Sequence, residues 1–131
     1  VTTHERDAIR ANMFGKFEDM LIAVSKSPAL MRYFGQNNSQ KGRVVENFSR
    51  EVLELYTMGV GNGYDQSDVE NAGRIFTGWN IEGKKIIGIF KFKPELHDDS
   101  EKKVLGVRYF NQGKRPGADC CGGPEADTYL C

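Results

Sequence analysis

The sequence predicts a mainly α fold, a bundle of about four helices with a small antiparallel β-hairpin at about 84–110. Three observations predict it. Apolar residues recur at three- and four-residue spacings in three segments, as one buried face of a helix requires. Glycine, serine and proline punctuate those segments where helices start and stop. The period then changes over 84–93, where alternation replaces the helical spacing.

The first predicted helix covers 4–26. Ile9, Met13, Phe17, Leu21 and Val24 make one apolar stripe, while Arg10, Lys16, Glu18 and Lys26 face water. Thr2 and Glu5 stand at the spacing of a capping box. Ser27-Pro28 restarts the chain, with serine suited to the N-cap and proline to the first helical position. The short helix that follows carries Leu30, Met31 and Phe34 and ends at Gly35. Residues 36–42 are polar and are expected to form a solvated loop.

The third predicted helix covers 45–58, with a stripe of Phe48, Val52, Leu55 and Tyr56 that Leu53 and Met58 widen. Glu46 and Arg50 are four apart, in the favourable order for a surface ion pair. Gly59 stops this helix. The run Gly59-Val-Gly-Asn-Gly63 is not a phosphate loop, because the spacing is wrong and a helix precedes it; it reads as a tight helix–helix turn. Asp65 then caps a fourth helix, with Asp68 three residues later, and Val69, Ala72, Gly73, Phe76 and Trp79 form its apolar face. A glycine inside a helix costs ~1 kcal/mol relative to alanine. Gly73 therefore points to a close helix–helix contact.

In the β-rich stretch Phe90 and Phe92 share one face, and Lys91 and Lys93 the other. A second strand over 103–110 carries Val104, Val107 and Tyr109, and 94–102 is expected to join the two. Such a ribbon is marginal alone and must lean on the helices. From Gly113 the chain is dense in glycine and proline without periodicity, so 113–131 is read as a disordered tail behind a domain at 1–112.

With 131 residues the chain holds one core. Lys+Arg and Asp+Glu are equal at 18 each, which argues against a nucleic-acid partner bound through phosphates. No run approaches the ~18 apolar residues of a membrane-spanning helix. The three cysteines, Cys120, Cys121 and Cys131, all lie in the tail. Without a fourth ligand or a nearby histidine they make no zinc site, and an odd count closes no disulfide framework. The chain opens at Val1 with no basic segment before an apolar stretch, so a removed leader or a piece of a longer protein is expected.

Few residues offer chemistry. His97-Asp98-Asp99 sets an imidazole beside two carboxylates, a set that could ligate a metal or pair a general base with an orienting acid. The competing reading is a turn, because Asp side chains bond nearby backbone groups. Arg50, Glu51 and Glu54 lie on the third helix, where Arg50 reads as a buried ion-pair hub locking this helix to the β-ribbon and Glu51 as a carboxylate that could join the His97 loop. No nucleophile elbow is present, and no cysteine lies in the patterned body.

Three stretches then resemble one family together. They are Phe14-Gly-Lys-Phe-Glu-Asp-Met-Leu21 with Ser27-Pro-Ala-Leu-Met-Arg-Tyr33; Glu46-Asn-Phe-Ser-Arg-Glu-Val-Leu-Glu-Leu-Tyr-Thr-Met-Gly59 with Tyr64-Asp-Gln-Ser-Asp-Val69 and Phe76-Thr-Gly-Trp79; and Phe90-Lys-Phe92 with His97-Asp98 and Lys103-Val-Leu-Gly106. Over 9–106 the chain is similar to the bacterial family called domain of unknown function (DUF) 1800. The resemblance implies an internal fragment of a longer, mostly helical protein that is exported to the periplasm or cell surface. It supplies no catalytic residue, cofactor or defined partner. What carries over is motif identity, at Glu46, Asn47, Arg50, Glu51, Gly59, Thr77, Gly78, Trp79, His97 and Asp98. Family members often have Asn at Val45, Ala at Ser49, His at Tyr56 and Gly at Ser100, and this chain departs there.

Two functions follow as expectations. One is a non-catalytic binding or assembly role at the cell envelope, with a protein or the rest of a parent chain as partner and apolar side chains exposed on the first or third helix. The other is a metal-dependent hydrolase built from the His97-Asp98 loop and Glu51. Contact between Glu51 and His97 would favour the hydrolase; Arg50 bonding Asp98 or Glu51 would favour the binding role.

Overall fold

The structure is a computed structural model that describes residues 3–83 and 88–109. The predicted tail and the cysteines lie outside them, as does Thr2 of the expected capping box. A π-helical turn (His4–Ile9) and a 3-10 turn (Arg10–Asn12) lead to α1 (Phe17–Ser25) and α2 (Pro28–Phe34). A 3-10 turn (Gln36–Asn38) precedes α3 (Asn47–Glu51), which runs into a second π-helical turn (Val52–Thr57), and α4 (Gln66–Ile75) follows. Strands β1 (Trp79–Glu82) and β2 (Ile89–Phe92) form one antiparallel pair, and β3 (Lys102–Val104) and β4 (Val107–Tyr109) another.

This corrects the predicted mainly α bundle with one hairpin. The described residues are 51% helical and 16% strand, a mixed α/β fold with two separate two-stranded sheets. Among the described residues the expected pairing of β2 with the strand over 103–110 does not form. Instead Phe92 sits opposite Trp79 and Phe90 opposite Ile81, so β2 turns back onto a strand that the sequence reading placed at the end of a helix. The cause is Gly78, whose φ of +83° reverses the chain after α4 and opens β1. The 3–4 β-hairpin closes through Leu105-Gly106, both with positive φ (+51° and +80°), the geometry of a tight two-residue turn.

The third segment keeps its core face by a different period. Phe48 and Leu53 are buried while Leu55 is 67% exposed. A π turn closes hydrogen bonds five residues apart, as Met58 N–H does to the Leu53 carbonyl (2.9 Å), so Phe48, Leu53 and Met58 track the interior. The first segment does not form one helix. Its break at 13–16 leaves Met13, Phe14 and Phe17 at 53, 95 and 63% exposure, and the continuous stripe from Ile9 is not buried. Exposed apolar side chains on these two segments were expected.

α4 follows the sequence reading at its start and through Ala72 but ends at Ile75, before Trp79. Asp65 Oδ1 accepts the Asp68 N–H (2.9 Å) and Asp68 Oδ2 accepts the Asp65 N–H (3.0 Å), a reciprocal capping box. A Cβ on Gly73 would lie 2.9 Å from Val44 Cγ1 and 3.3 Å from Ser49 Oγ, the predicted close approach to α3. Two buried clusters result. Leu53, Val69, Ala72, Ile75 and Val104 join α4 to the second hairpin. Met31, Phe48, Phe76 and Trp79 join α2, α3 and α4 to the first hairpin. Ring centroids 4.9–5.1 Å apart link Phe48, Phe76, Trp79 and Phe90, mostly edge to face.

Residues 36–42 are not a solvated loop. Gln36 and Ser39 are buried. Gln36 Nε2 donates to the Phe76 carbonyl (2.7 Å), and the Ser39 carbonyl accepts the Gly78 N–H (3.1 Å). The end of a helix exposes carbonyls that need donors, and this loop supplies one from the side.

Candidate functional site

Two of the sequence-predicted site residues meet at the C-terminal end of α4. Pro94 starts a 3-10 turn (Pro94–Leu96) that delivers His97, while Gly78 holds β1 against Lys93, whose N–H bonds the Gly78 carbonyl (2.8 Å). Thr77, between α4 and Gly78, is fully buried. Its hydroxyl donates to the Arg74 carbonyl (2.6 Å) and accepts the Asp98 N–H (2.8 Å).

His97 Nδ1 lies 2.7 Å from the Thr77 carbonyl and 3.3 Å from its hydroxyl. A carbonyl only accepts, so Nδ1 carries the proton and donates. The ring is 6% exposed and stands edge-on to Phe92, with centroids 5.5 Å apart. Burial pushes the imidazole below its ordinary value, and the ammonium of Lys102 adds to this; together they outweigh the Thr77 carbonyl, Asp99 and Asp98. His97 is therefore neutral at pH 7.

Asp98 is tied on both oxygens. Oδ2 accepts from Arg74 Nε (2.9 Å), and Oδ1 accepts the Ser100 N–H (3.0 Å) and the Ser100 hydroxyl. Burial alone would raise this carboxyl, but the Arg74 and Ser100 donors hold it well below the usual carboxylate range. Arg74 also donates to Asn71 Oδ1 (2.7 Å), the Glu101 carbonyl (3.0 Å) and the Ser100 hydroxyl. Lys102, itself buried, donates from Nζ to the carbonyls of Asp98 and Ser100. The chain 98–102 is thus stitched to the end of α4 by Arg74 and the buried Thr77, while Lys102 holds carbonyls of the segment itself.

Arg50 and Glu51 do not join this group. Arg50 bonds Glu54 (3.2 Å) and Gln66 (2.8 Å) and lies 3.7 Å from Glu46, so among the described residues it ties α3 to α4 and not to the ribbon, and its partners are neither Asp98 nor Glu51. Asp98 goes to Arg74 instead. Glu51 sits near Tyr56, whose phenol is raised first by burial and then by the charge of Glu51 and the nearby Tyr33. It is absent from the charges that act on His97. Among the described residues no three His, Cys, Asp or Glu side chains converge to hold a metal ion.

The motif positions are spread through the frame. Glu46 caps α3, and its carbonyl lies 2.9 Å from the Ser49 hydroxyl; Asn47 is exposed at the first turn. Gly59 takes a φ of +90° after the π turn, and Trp79 is fully buried. Sequence reasoning missed Arg74, Ser100 and Lys102. Arg74 carried one signal, a basic residue in the last turn of a helix ahead of a glycine stop.

Fold and site together define a small helix-and-hairpin protein whose polar centre is an ion-paired brace between α4 and the segment after β2. A family model described as "Protein of unknown function (DUF1800)" matches residues 1–122. The chain belongs to that family. The match is wider than the 9–106 stretch on which the resemblance rests, and it takes in part of the segment read as tail, including Cys120 and Cys121. Comparison with curated proteins and with solved structures found no match. No helix among the described residues is long and apolar enough to cross a membrane.

Proposed function

We propose that this chain has a non-catalytic binding or assembly role at the cell envelope. One observation carries the reading: the two residues best suited to chemistry are engaged in holding the fold. His97 is buried and donates to the Thr77 carbonyl, and Asp98 is held by Arg74 and Ser100. A general base needs access to a substrate proton, and this imidazole is enclosed. The extracytoplasmic setting is supported by the family's character alone.

The test is capture of cell-envelope components by the protein, run beside a His97→Gln variant whose packing is checked by near-ultraviolet circular dichroism. Equal capture by both, with no hydrolytic activity in either, is expected. Absence of captured material overturns the binding role. A hydrolytic activity that disappears in His97→Gln while the unfolding midpoint stays in place returns the site to catalysis.

A further inference from the structure

A cavity of about 410 Å³ lies between the π-helical turn His4–Ile9, the junction of α1 with α2, and the start of β2. Its size falls within the ~300–1,000 Å³ of small-molecule sites. Ala8, Pro28, Ala29 and Phe90 give it an apolar lining, and Arg32 and His4 give it polar groups. His4 Nδ1 is buried with no hydrogen bond among the described residues. The Arg32 guanidinium likewise makes no hydrogen bond or ion pair among the described residues.

A buried polar atom left without a partner costs ~1–3 kcal/mol, so the buried His4 Nδ1, with the exposed Arg32 guanidinium in the same lining, points to a ligand that completes the imidazole and pairs the charge. The backbone leaves room for this arrangement. A Cβ on Gly88 would lie 2.7 Å from Arg32 Nη2, so glycine there lets the guanidinium reach the cavity wall. Asp7, the acid in the lining, is paired with Arg6 (2.9 Å between Nη2 and Oδ2), which leaves Arg32 as the cation in the lining. A guanidinium matches the oxygens of a carboxylate or phosphate in two-point geometry.

We propose that this cavity binds a small organic acid, its carboxylate or phosphate held by Arg32 and His4 and its apolar body on Ala8, Ala29 and Phe90. The site is separate from the Arg74–Asp98 brace, and the proposal does not rest on the assembly role.

The test is titration of the protein with benzoate, phenyl phosphate and neutral benzyl alcohol, followed by amide chemical shifts in nuclear magnetic resonance spectra. Saturable shifts at Ala8, Ala29 and Phe90 are expected with at least one acid, and the stronger of the two tells carboxylate from phosphate. Benzyl alcohol should bind about tenfold more weakly (~1.4 kcal/mol). Arg32→Met, which breaks no hydrogen bond or ion pair among the described residues, should weaken the acid by a similar factor while leaving the spectrum of the core unchanged. No saturable shift up to ~10 mM ligand overturns the proposal. So does equal binding of benzyl alcohol by the native chain, a comparison that needs no variant, or undiminished acid binding by a folded Arg32→Met.

Discussion

Replacing Arg74 by methionine should destabilise the fold far more than the same change at Arg50. Both are arginines in an ion pair on a helix, and their surroundings separate them. The Arg74 side chain is 26% exposed and its partner Asp98 is 13% exposed, whereas Arg50 is 40% exposed. Exposed pairs contribute ~0–1 kcal/mol, while breaking a buried pair costs ~3–5 kcal/mol because the remaining charge is stranded. Arg74–Asp98 lies between, and Arg74 also holds Asn71, Ser100 and the Glu101 carbonyl. The loss should be ~2–3 kcal/mol for Arg74→Met, against under ~1 kcal/mol for Arg50→Met. Urea unfolding at pH 7 reads this as a fall in midpoint of roughly 1 M or more at an ordinary slope. Adding Asp98→Asn should recover part of the loss, since the stranded carboxylate is then gone. If Arg74→Met and Arg50→Met agree within ~0.5 kcal/mol, the brace contributes nothing special and the account of the site fails.

Three further outcomes follow from the same geometry. His97 and Asp98 both have folded-state values below their ordinary ones, 6.5 and 3.8, so each contributes stability above that value that is lost as pH falls. Native stability should therefore drop from about pH 7 to about pH 5 by a component absent in His97→Gln, and unfolding curves that stay parallel for the two proteins would contradict the enclosed imidazole. Gly78→Ala places a Cβ 2.7 Å from the Lys93 carbonyl oxygen at a φ of +83°; a loss of at least ~2 kcal/mol is expected in thermal or urea unfolding, and a neutral result would refute the backbone turn. Leu105→Asn, at a φ of +51°, should stabilise by ~0.5–1 kcal/mol, read as a rise in melting temperature; a fall would mean that the side chain of Leu105 matters more than its strained backbone.

What the sequence made legible is what depends on neighbours along the chain. The Asp65 N-cap and the Gly35 stop are local, and both are present. Gly73 was legible because a glycine in a helix needs a reason, and Val44 and Ser49 supply it. Periodicity misled where the helix itself changed pitch. Phe48, Leu53 and Met58 are five apart, which no α-helical template rewards, so Leu55 was placed inside and is exposed. Trp79 fell on the 69-72-76 stripe and was read as helix, although Gly78 stood immediately before it as a stop signal. The tight turn after β3 was hidden because its first residue is leucine, where asparagine or glycine is the usual sign.

The site was half legible for a related reason. Thr77, Gly78, His97 and Asp98 could be marked by motif, yet nothing local says that Thr77 and His97 touch across twenty residues or that Asp98 reaches Arg74 across twenty-four. Ser100 makes the point most sharply. In sequence it is a serine with no chemistry of its own to mark it. In the structure its hydroxyl lies between the Arg74 guanidinium and the Asp98 carboxylate, and its N–H caps the same carboxylate. The backbone N–H would remain in a glycine, but the hydroxyl would not, so Ser100 adds a side-chain bond to a brace that Arg74, Thr77 and that N–H also hold. Ser100→Gly should then weaken the brace without dissolving it, by ~0.5–1.5 kcal/mol, the net value of one hydrogen bond, and less than Arg74→Met in the same urea titration. A loss as large as that of Arg74→Met would place the hydroxyl, rather than the ion pair, at the centre of the network.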